Sequence, residues 1–348
     1  MKKIGVIFGG ISTEHDVSIV SGTSVIKNLN KNKYEITPIY ISKEGEWYKY
    51  DIPVEKIEIL KVGDTLDNLI KIENIFEVLK QFDVVFPVLH GLGGEDGSIQ
   101  GLLELLKVPY VGCGILASSV GMDKAYTKII FEKANIKQAK YEYVRKIKSG
   151  YVYIDKKFNE KECSLQELCK IIADNLKFPM FIKPSNSGSS VGINKVNNID
   201  ELEEFIEYAA KYDSKILIEE GIVGREVECA VLGNEEVISS CIGEILPAED
   251  FYTFDAKYNN SESVAVIPAE IPKEISNTIR DLAIKAFKAV DGKGLSRVDF
   301  FIEKNTNEIY INEINTMPGF TEISMYPKLF EQVGIKYSDL LDKLIEIV

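Results

Sequence analysis

The stretch FIKPSNSGSSVG, Phe181 to Gly192, sets a lysine ahead of a loop of serines and glycines, whose backbone N–H groups can wrap an anion. Its spacing is not G-x-x-x-x-G-K-[ST], where the lysine follows the glycines, so phosphate chemistry is expected without the P-loop fold. Further on, VDFFIEKNTNEIYINEIN reads as two strands around Asn305–Thr306–Asn307. Counting outward from Thr306 sets Asp299 opposite Glu313, and alternation puts Asn315 on the same face as Glu313. Opposed carboxylates are unfavourable unless a cation stands between them, and hard oxygens with no His or Cys nearby suit Mg2+. A solvated hairpin face is the plainer alternative. The apolar neighbours Val298, Phe300, Phe301, Ile311 and Ile314 favour burial instead.

A third segment, LHGLGGEDGSIQG (Leu89 to Gly101), follows the strand pattern DVVFPVL and ends where a helix begins. Such a turn offers free N–H groups and the positive end of a helix dipole. His90 is one of two histidines; the other, His15, lies in GGISTEHDVS at the first strand-to-helix turn. Ligands of open parallel sheets bind beyond the carboxyl ends of the strands, where both turns fall. Glu14, His90, Glu95 and Asp96 are therefore expected around one small polar ligand. The alternative is that Glu95 and Asp96 cap a helix and His90 is a hydrogen-bonded structural residue. GGISTE lacks G-x-G-x-x-G, which disfavours a nicotinamide cofactor.

The elements that must position these residues follow from periodicity. KIGVIF, a helix over Val17–Leu29, YEITPIYI, a helix near Ile70–Gln81, DVVFPVL, the helix GLLELLKVP and the strand YVGCG alternate as in a parallel sheet with crossover helices. MDKAYTKIIFEKANI is expected as a helix, Ser149–Cys163 as a polar turn segment, and FPMFIKP with SSVGINKV as an antiparallel pair around the serine loop. KILIEEGI, REVECAVLG and EVISSCIGEIL suggest a meander. Pro247–Ser263 has no periodicity, and a loop of that length suggests a lid. A helix over Lys273–Val290 precedes the acidic hairpin, and two short helices follow it.

With 348 residues the chain is expected to form two or three domains. A net charge of −13, from 41 basic and 54 acidic residues, argues against nucleic acid as a partner. No window approaches the roughly 20 apolar residues of a membrane span, and Gly9 and Gly10 cut the N-terminal apolar run short of a signal peptide. Five cysteines, at 113, 163, 169, 229 and 241, without CxxC spacing, suit free thiols in a reducing cytosol rather than disulfides or zinc.

With these pieces placed, the chain resembles the D-alanine:D-alanine ligases of the ATP-grasp superfamily over nearly its whole length. The resemblance rests on GVIFGGISTEHDVS, HGLGGEDGSIQG, MDK, FIKPSNSGSSVG, FDAKY, RVD and NEINTMPGFTEISMYP, in that order. It implies an α/β, three-domain ATP-grasp fold: a Rossmann-like parallel sheet over 1–113, a central subdomain over 114–215, and a C-terminal domain over 216–348 with the metal site and a lid at about 247–263. It also implies a cytoplasmic homodimer acting on D-alanine and ATP in peptidoglycan precursor synthesis. In the family, ATP phosphorylates one D-alanine carboxylate, and the amine of a second attacks the acyl phosphate.

Carried over by motif, the resemblance makes Glu14 the anchor of the first substrate's ammonium, with Ser189 and Tyr258 completing a triad and His90 beside that substrate. Arg297 and the Gly319 N–H become donors to the oxyanion. Asp299, Glu313 and Asn315 become ligands of two Mg2+ ions, with Mn2+ as a substitute. Lys124, Lys183 and Ser190 become contacts to the ATP phosphates, Glu219, Ile222 and Glu226 the adenine and ribose wall, and Lys257 a lid lysine. Ser324 and Met325 border the second substrate. His15 stands where many members carry Arg, Met325 where Leu is frequent, and Asn186–Ser187 where some relatives have a charged pair. Competing expectations are a D-serine or, less so, a D-lactate ligase, disfavoured by apolar Met325 and by Lys257–Tyr258 respectively, and a non-catalytic nucleotide-binding module, disfavoured by retention of the lysines and acids.

Overall fold

The computed structural model describes residues 1–246 and 264–348. The expected lid, with Lys257 and Tyr258, lies outside the described residues. The first sheet comprises β1 (Lys2–Gly9), β2 (Tyr34–Ile41), β3 (Trp47–Tyr50), β4 (Leu69–Lys71) and β5 (Val84–Pro87), in the order β4-β3-β2-β1-β5. β1 runs parallel to β2 and β5, while β3 and β4 add an antiparallel edge. From Ile4 onward β1 is buried throughout, as befits a strand with helices on both sides of its sheet. The carboxyl ends of β1 and β5 deliver the turns that carry Glu14 and His90.

A second, antiparallel sheet comprises β6 (Tyr141–Ile147), β7 (Gly150–Ile154), β8 (Glu160–Cys163), β9 (Met180–Pro184), β10 (Asn194–Val196) and β11 (Lys215–Glu220), in the order β10-β9-β11-β6-β7-β8. Helices Leu165–Asn175 and Leu202–Ala209 cover one face and helix Lys124–Lys133 the other. The third sheet joins β12 (Gly224–Gly233), β13 (Val237–Leu246), β14 (Val264–Val266), β15 (Gly294–Glu303) and β16 (Ile309–Asn315), again antiparallel, with helix Lys273–Ala289 on one face. Phe8 and Phe86 of the first sheet share one core with Phe320, Tyr326 and Leu341 near the C-terminus. The turns of the first sheet and the end of the acidic hairpin are thereby held together.

Several expectations need correction. The helix foreseen over Ile70–Gln81 is strand β4 followed by one short helix, Ile75–Leu79, because Asn74 caps a start there through the Glu77 N–H. YVGCG makes only a bridge from Tyr110 to Val85. The helix foreseen at MDKAYTKIIFEKANI is preceded by another, Ile115–Met122; Asp123 ends the first and accepts the Tyr126 N–H to start the next. Ser149–Cys163 is not a turn segment but β7 and β8, with Tyr151, Val152 and Ile154 buried and Asp155 closing the turn through the Lys157 and Asn159 N–H groups. KILIEE leaves the supposed meander to pair with β6 and β9 in the second sheet.

The acidic hairpin pairs Asp299 with Glu313 and Arg297 with Asn315. Nearer the turn, however, Ile302 faces Ile309 and Phe300 faces Ile311, one residue out of step with a count from Thr306. The shift between Asp299 and Phe300 is a β-bulge that takes up Asn312 as the extra residue. The facing carboxylates thus owe their register to the bulge rather than to the turn.

Candidate active site

One cavity of about 1760 Å³ runs between the three sheets. That exceeds the usual 300–1,000 Å³ of a single-ligand pocket, leaving room for more than one small molecule. At one end stand Lys183 on β9, Glu219 on β11, Ile222 in the following link and Glu226 on β12. Glu219 is buried between two lysines: it pairs with Lys183 and lies 2.7 Å from Lys128 Nζ. Burial alone would raise its pKa, but the two ammonium groups pull it down to about 2. Lys128 escaped the sequence reading, although it lies one helical turn beyond Lys124 on the same helix. Lys128→Met is expected to cost about 1–3 kcal/mol because Lys183 still neutralises Glu219, whereas Glu219→Gln, stranding a fully buried ammonium, costs about 3–5 kcal/mol. Urea unfolding checks the order, and equal costs would contradict the buried triad.

Lys124 opens its helix, donates to the Ser187 carbonyl at 2.5 Å and lies 3.9 Å from Glu313. Glu313 and Asn315 line the cavity. Asp299 is buried behind them; both of its oxygens accept from Arg297, at 2.8 and 2.7 Å, and Oδ2 also accepts from Asn315 at 3.0 Å. Arg297 further pairs with buried Glu228 at 3.0 Å, and these anions hold its pKa well above the ordinary arginine value despite burial. Among the described residues no group of three or more His, Cys, Asp and Glu is arranged to hold a metal, whereas Glu313 and the Asn315 amide both reach the cavity wall. Glu313 and the Asn315 amide oxygen are hard-oxygen donors of the kind Mg2+ takes, and Asp299 would have to give up part of its Arg297 fork to join them.

At the other end Ser189 donates to Glu14 Oε1. Ser189 and Ser190 adopt left-handed φ of 49° and 60°, curling the loop back on itself. A Cβ at Gly188 or at Gly91 would stand 2.6 Å from Glu14 Oε2, so two glycines allow backbone to close around that carboxylate. His90 is buried with both ring nitrogens engaged, Nδ1 at 3.1 Å from the Met317 carbonyl and Nε2 at 2.9 Å from Ser21 Oγ. A carbonyl only accepts, which puts the proton on Nδ1 and makes Ser21 the donor to Nε2. Burial lowers the imidazole pKa against the pull of Glu14, so the ring is neutral. Burial and the facing Glu14 push the Glu95 carboxyl up to about 8.

Gly319, Ser324 and Met325 close this end. Ser324 Oγ accepts the Thr321 N–H at 3.0 Å, and buried Met325 packs its methyl against Gly243. The candidate Asp96 falls elsewhere, as does His15, the departure from the family pattern. Asp96 accepts from Gly93 and Ser98 and shapes the glycine turn, while His15 contacts the Gly10 carbonyl and Tyr40.

Residues 3–113 match the family model described as D-ala D-ala ligase N-terminus, and residues 130–346 match D-ala D-ala ligase C-terminus. The D-alanine–D-alanine ligase of Acetivibrio thermocellus is 50% identical over 372 residues, covering 99% of this chain and 95% of its own. Among solved structures, the VanG D-Ala:D-Ser ligase from Enterococcus faecalis aligns with a TM-score of 0.85 and 38% identity over 99% of both chains. A D-alanine–D-alanine ligase from Bacillus anthracis complexed with ATP aligns with a TM-score of 0.75 and 30% identity over 100% of this chain and 97% of its own.

Proposed function

The chain belongs to the D-alanine–D-alanine ligase family, which carries the ATP-grasp fold, and from that premise we propose that it joins two D-alanines at the expense of ATP for peptidoglycan synthesis. The observation that carries the proposal is the serine loop. It stands in one cavity between the lysines at the Glu219 end and the carboxylate of Glu14, touching both sides through Ser187 and Ser189. That is where a phosphoryl group must cross from nucleotide to amino acid.

In this reading Lys124, Lys183 and Ser190 hold the ATP phosphates, while Glu219, Ile222 and Glu226 border adenine and ribose. Lys257 and Tyr258 join from the segment outside the described residues. Glu14, steadied by Ser189, takes the ammonium of the first D-alanine. Neutral His90 offers no charge to compete with that ammonium, and its tautomer is fixed by Met317 and Ser21. Phosphorylation gives the first carboxylate a leaving group; the second amine then attacks, and the oxyanion that forms meets Arg297 and the Gly319 N–H. Asp299, Glu313 and Asn315 would hold two Mg2+ ions, which neutralise phosphate charge when bound. Ser324 and Met325 border the second D-alanine. We take 1–113, 114–215 and 216–348 as the domains of a cytoplasmic homodimer, with the second boundary moved past Glu220 because β11 pairs within the second sheet; no helix of the described residues is long and apolar enough to cross a membrane.

Product identification with ATP, Mg2+ and D-alanine, alone and with D-serine or D-lactate added, tests this reading. D-alanyl-D-alanine from D-alanine alone is expected, and its absence sinks the assignment. The likeness to a D-Ala:D-Ser ligase makes D-serine the second reading, yet Met325 offers no partner for a hydroxyl. The state of Glu95 gives a further expectation. Below about 8 it holds a proton in the free protein, and an ammonium seated at Glu14 favours the carboxylate. D-alanine binding at neutral pH should therefore release a proton. Calorimetry in buffers of different ionisation enthalpy reads this, and identical heats in all buffers count against it.

A further inference from the structure

Met317, in the turn after β16, is gripped on both sides by one segment from the edge of the first sheet. Glu95 Oε2 accepts its N–H at 3.2 Å, and His90 Nδ1 donates to its carbonyl at 3.1 Å. Three residues on, Phe320 is held likewise: its N–H reaches Ser21 Oγ at 3.3 Å, and its carbonyl accepts from Tyr337 at 2.6 Å. Ser21 also donates to His90, which links the two grips. Between them Pro318 has no N–H, so the Gly319 N–H, on the cavity wall, is the turn's remaining donor.

We propose that Glu95 is a positioning residue: through Met317 it fixes where the Gly319 N–H stands, and so how well negative charge developing in acyl transfer is met. The proposal rests on the ligase reading above. Were Glu95 only a cap of its own glycine turn, the bond from Gly91 N–H to Oε1 at 2.9 Å would suffice. Its second oxygen instead crosses to a residue 222 positions away, on the loop that carries the donor. An ammonium seated at Glu14 draws Glu95 toward its carboxylate, in which both N–H bonds become charge-assisted and shorter. First-substrate binding would thus tighten the grip before the second amine attacks.

The test uses the full chain with Glu95→Ala and Glu95→Gln, measuring kcat, KM for ATP and KM for D-alanine. Glu95→Ala is expected to lower kcat about 30- to 100-fold with KM for ATP within about twofold, the scale of a misplaced oxyanion donor. Glu95→Gln, which keeps one oxygen acceptor, is expected to fall between Ala and wild type; if Ala does not fold, a drop of about 3- to 10-fold in kcat for Gln alone supports the same grip. A folded Glu95→Ala, or failing that Glu95→Gln, with kcat within about twofold of wild type overturns the proposal, as does a kcat loss matched by an equal rise in KM for ATP. A wild type that makes no dipeptide overturns the ligase reading and this proposal together, which separates the two failures.

Discussion

Arg297→Ala is expected to melt about 5–15 °C below wild type and to lose nearly all turnover, for one electrostatic reason. β12 and β15 pair Glu228 with Asp299, and both carboxylates are buried. Opposed anions in a dry sheet are tolerable only because the Arg297 fork binds Asp299 through two nitrogens and reaches Glu228 through Nε. Removing it leaves Asp299, among the described residues, with only the Asn315 amide, at a cost of about 3–5 kcal/mol for stranded buried charge. The same guanidinium lines the cavity, where it is placed to meet the oxyanion of acyl transfer, so stability and catalysis fall together. Arg297→Lys separates the two. It restores a charge but not a planar fork, so part of the melting temperature should return while turnover stays low. Calorimetric melting and steady-state kinetics on the three proteins decide this; an Arg297→Ala that melts with wild type would remove the buried triad from the account.

Much of this arrangement was legible in the sequence, and the parts that were not share a physical cause. The alternation of KIGVIF, YEITPIYI and DVVFPVL gave the parallel core because strands buried on both faces must be continuously apolar. The serine loop between FPMFIKP and SSVGINKV could be placed because its strands are short-range antiparallel partners. KILIEE, equally strand-like, is not part of a meander: nothing local says that a strand skips its neighbour to pair 32 to 40 residues back with β9. Likewise Ser149–Cys163 looked polar because its turn and β8 are charged and exposed, although β7 is buried on both faces, Tyr151 against one helix layer and Val152 with Ile154 against the other.

Asp299 opposite Glu313 was reached by counting from a turn that does not set the pairing. The bulge at Asn312 supplied the missing residue, and in the strand IYINEIN nothing sets Asn312 apart from the polar Glu313 and Asn315 beside it. Glu14 and Ser189 are 175 positions apart, and only the family likeness joined them before the fold did. Lys128 shows the reverse case: its helical spacing from Lys124 was available, but its burial beside Glu219 depends on how the helix packs against β11. Spacing brings side chains to one face; tertiary packing decides which face is dry.

Glu313→Gln, at the opposite end of the acidic hairpin from its turn, is expected to cut kcat by at least about 10³-fold while leaving stability within roughly 1 kcal/mol. The contrast with Arg297 comes from exposure. The Glu313 side chain is 26% exposed, so solvent screens its charge, including the contact to Lys124 at 3.9 Å. Neutralising one of two facing carboxylates even relieves some repulsion from Asp299. What the substitution removes is an anionic donor on the cavity wall beside the phosphate lysines, where hard cations and polyphosphate would meet. A readout independent of turnover follows from linkage: with ATP present, Mg2+ should raise the melting temperature of the wild type, and that increment should shrink or vanish in Glu313→Gln. Full Mg2+ stabilisation in the variant, or turnover near that of the wild type, would place the metal elsewhere in the cavity and leave the facing carboxylates as a structural pair held by Arg297.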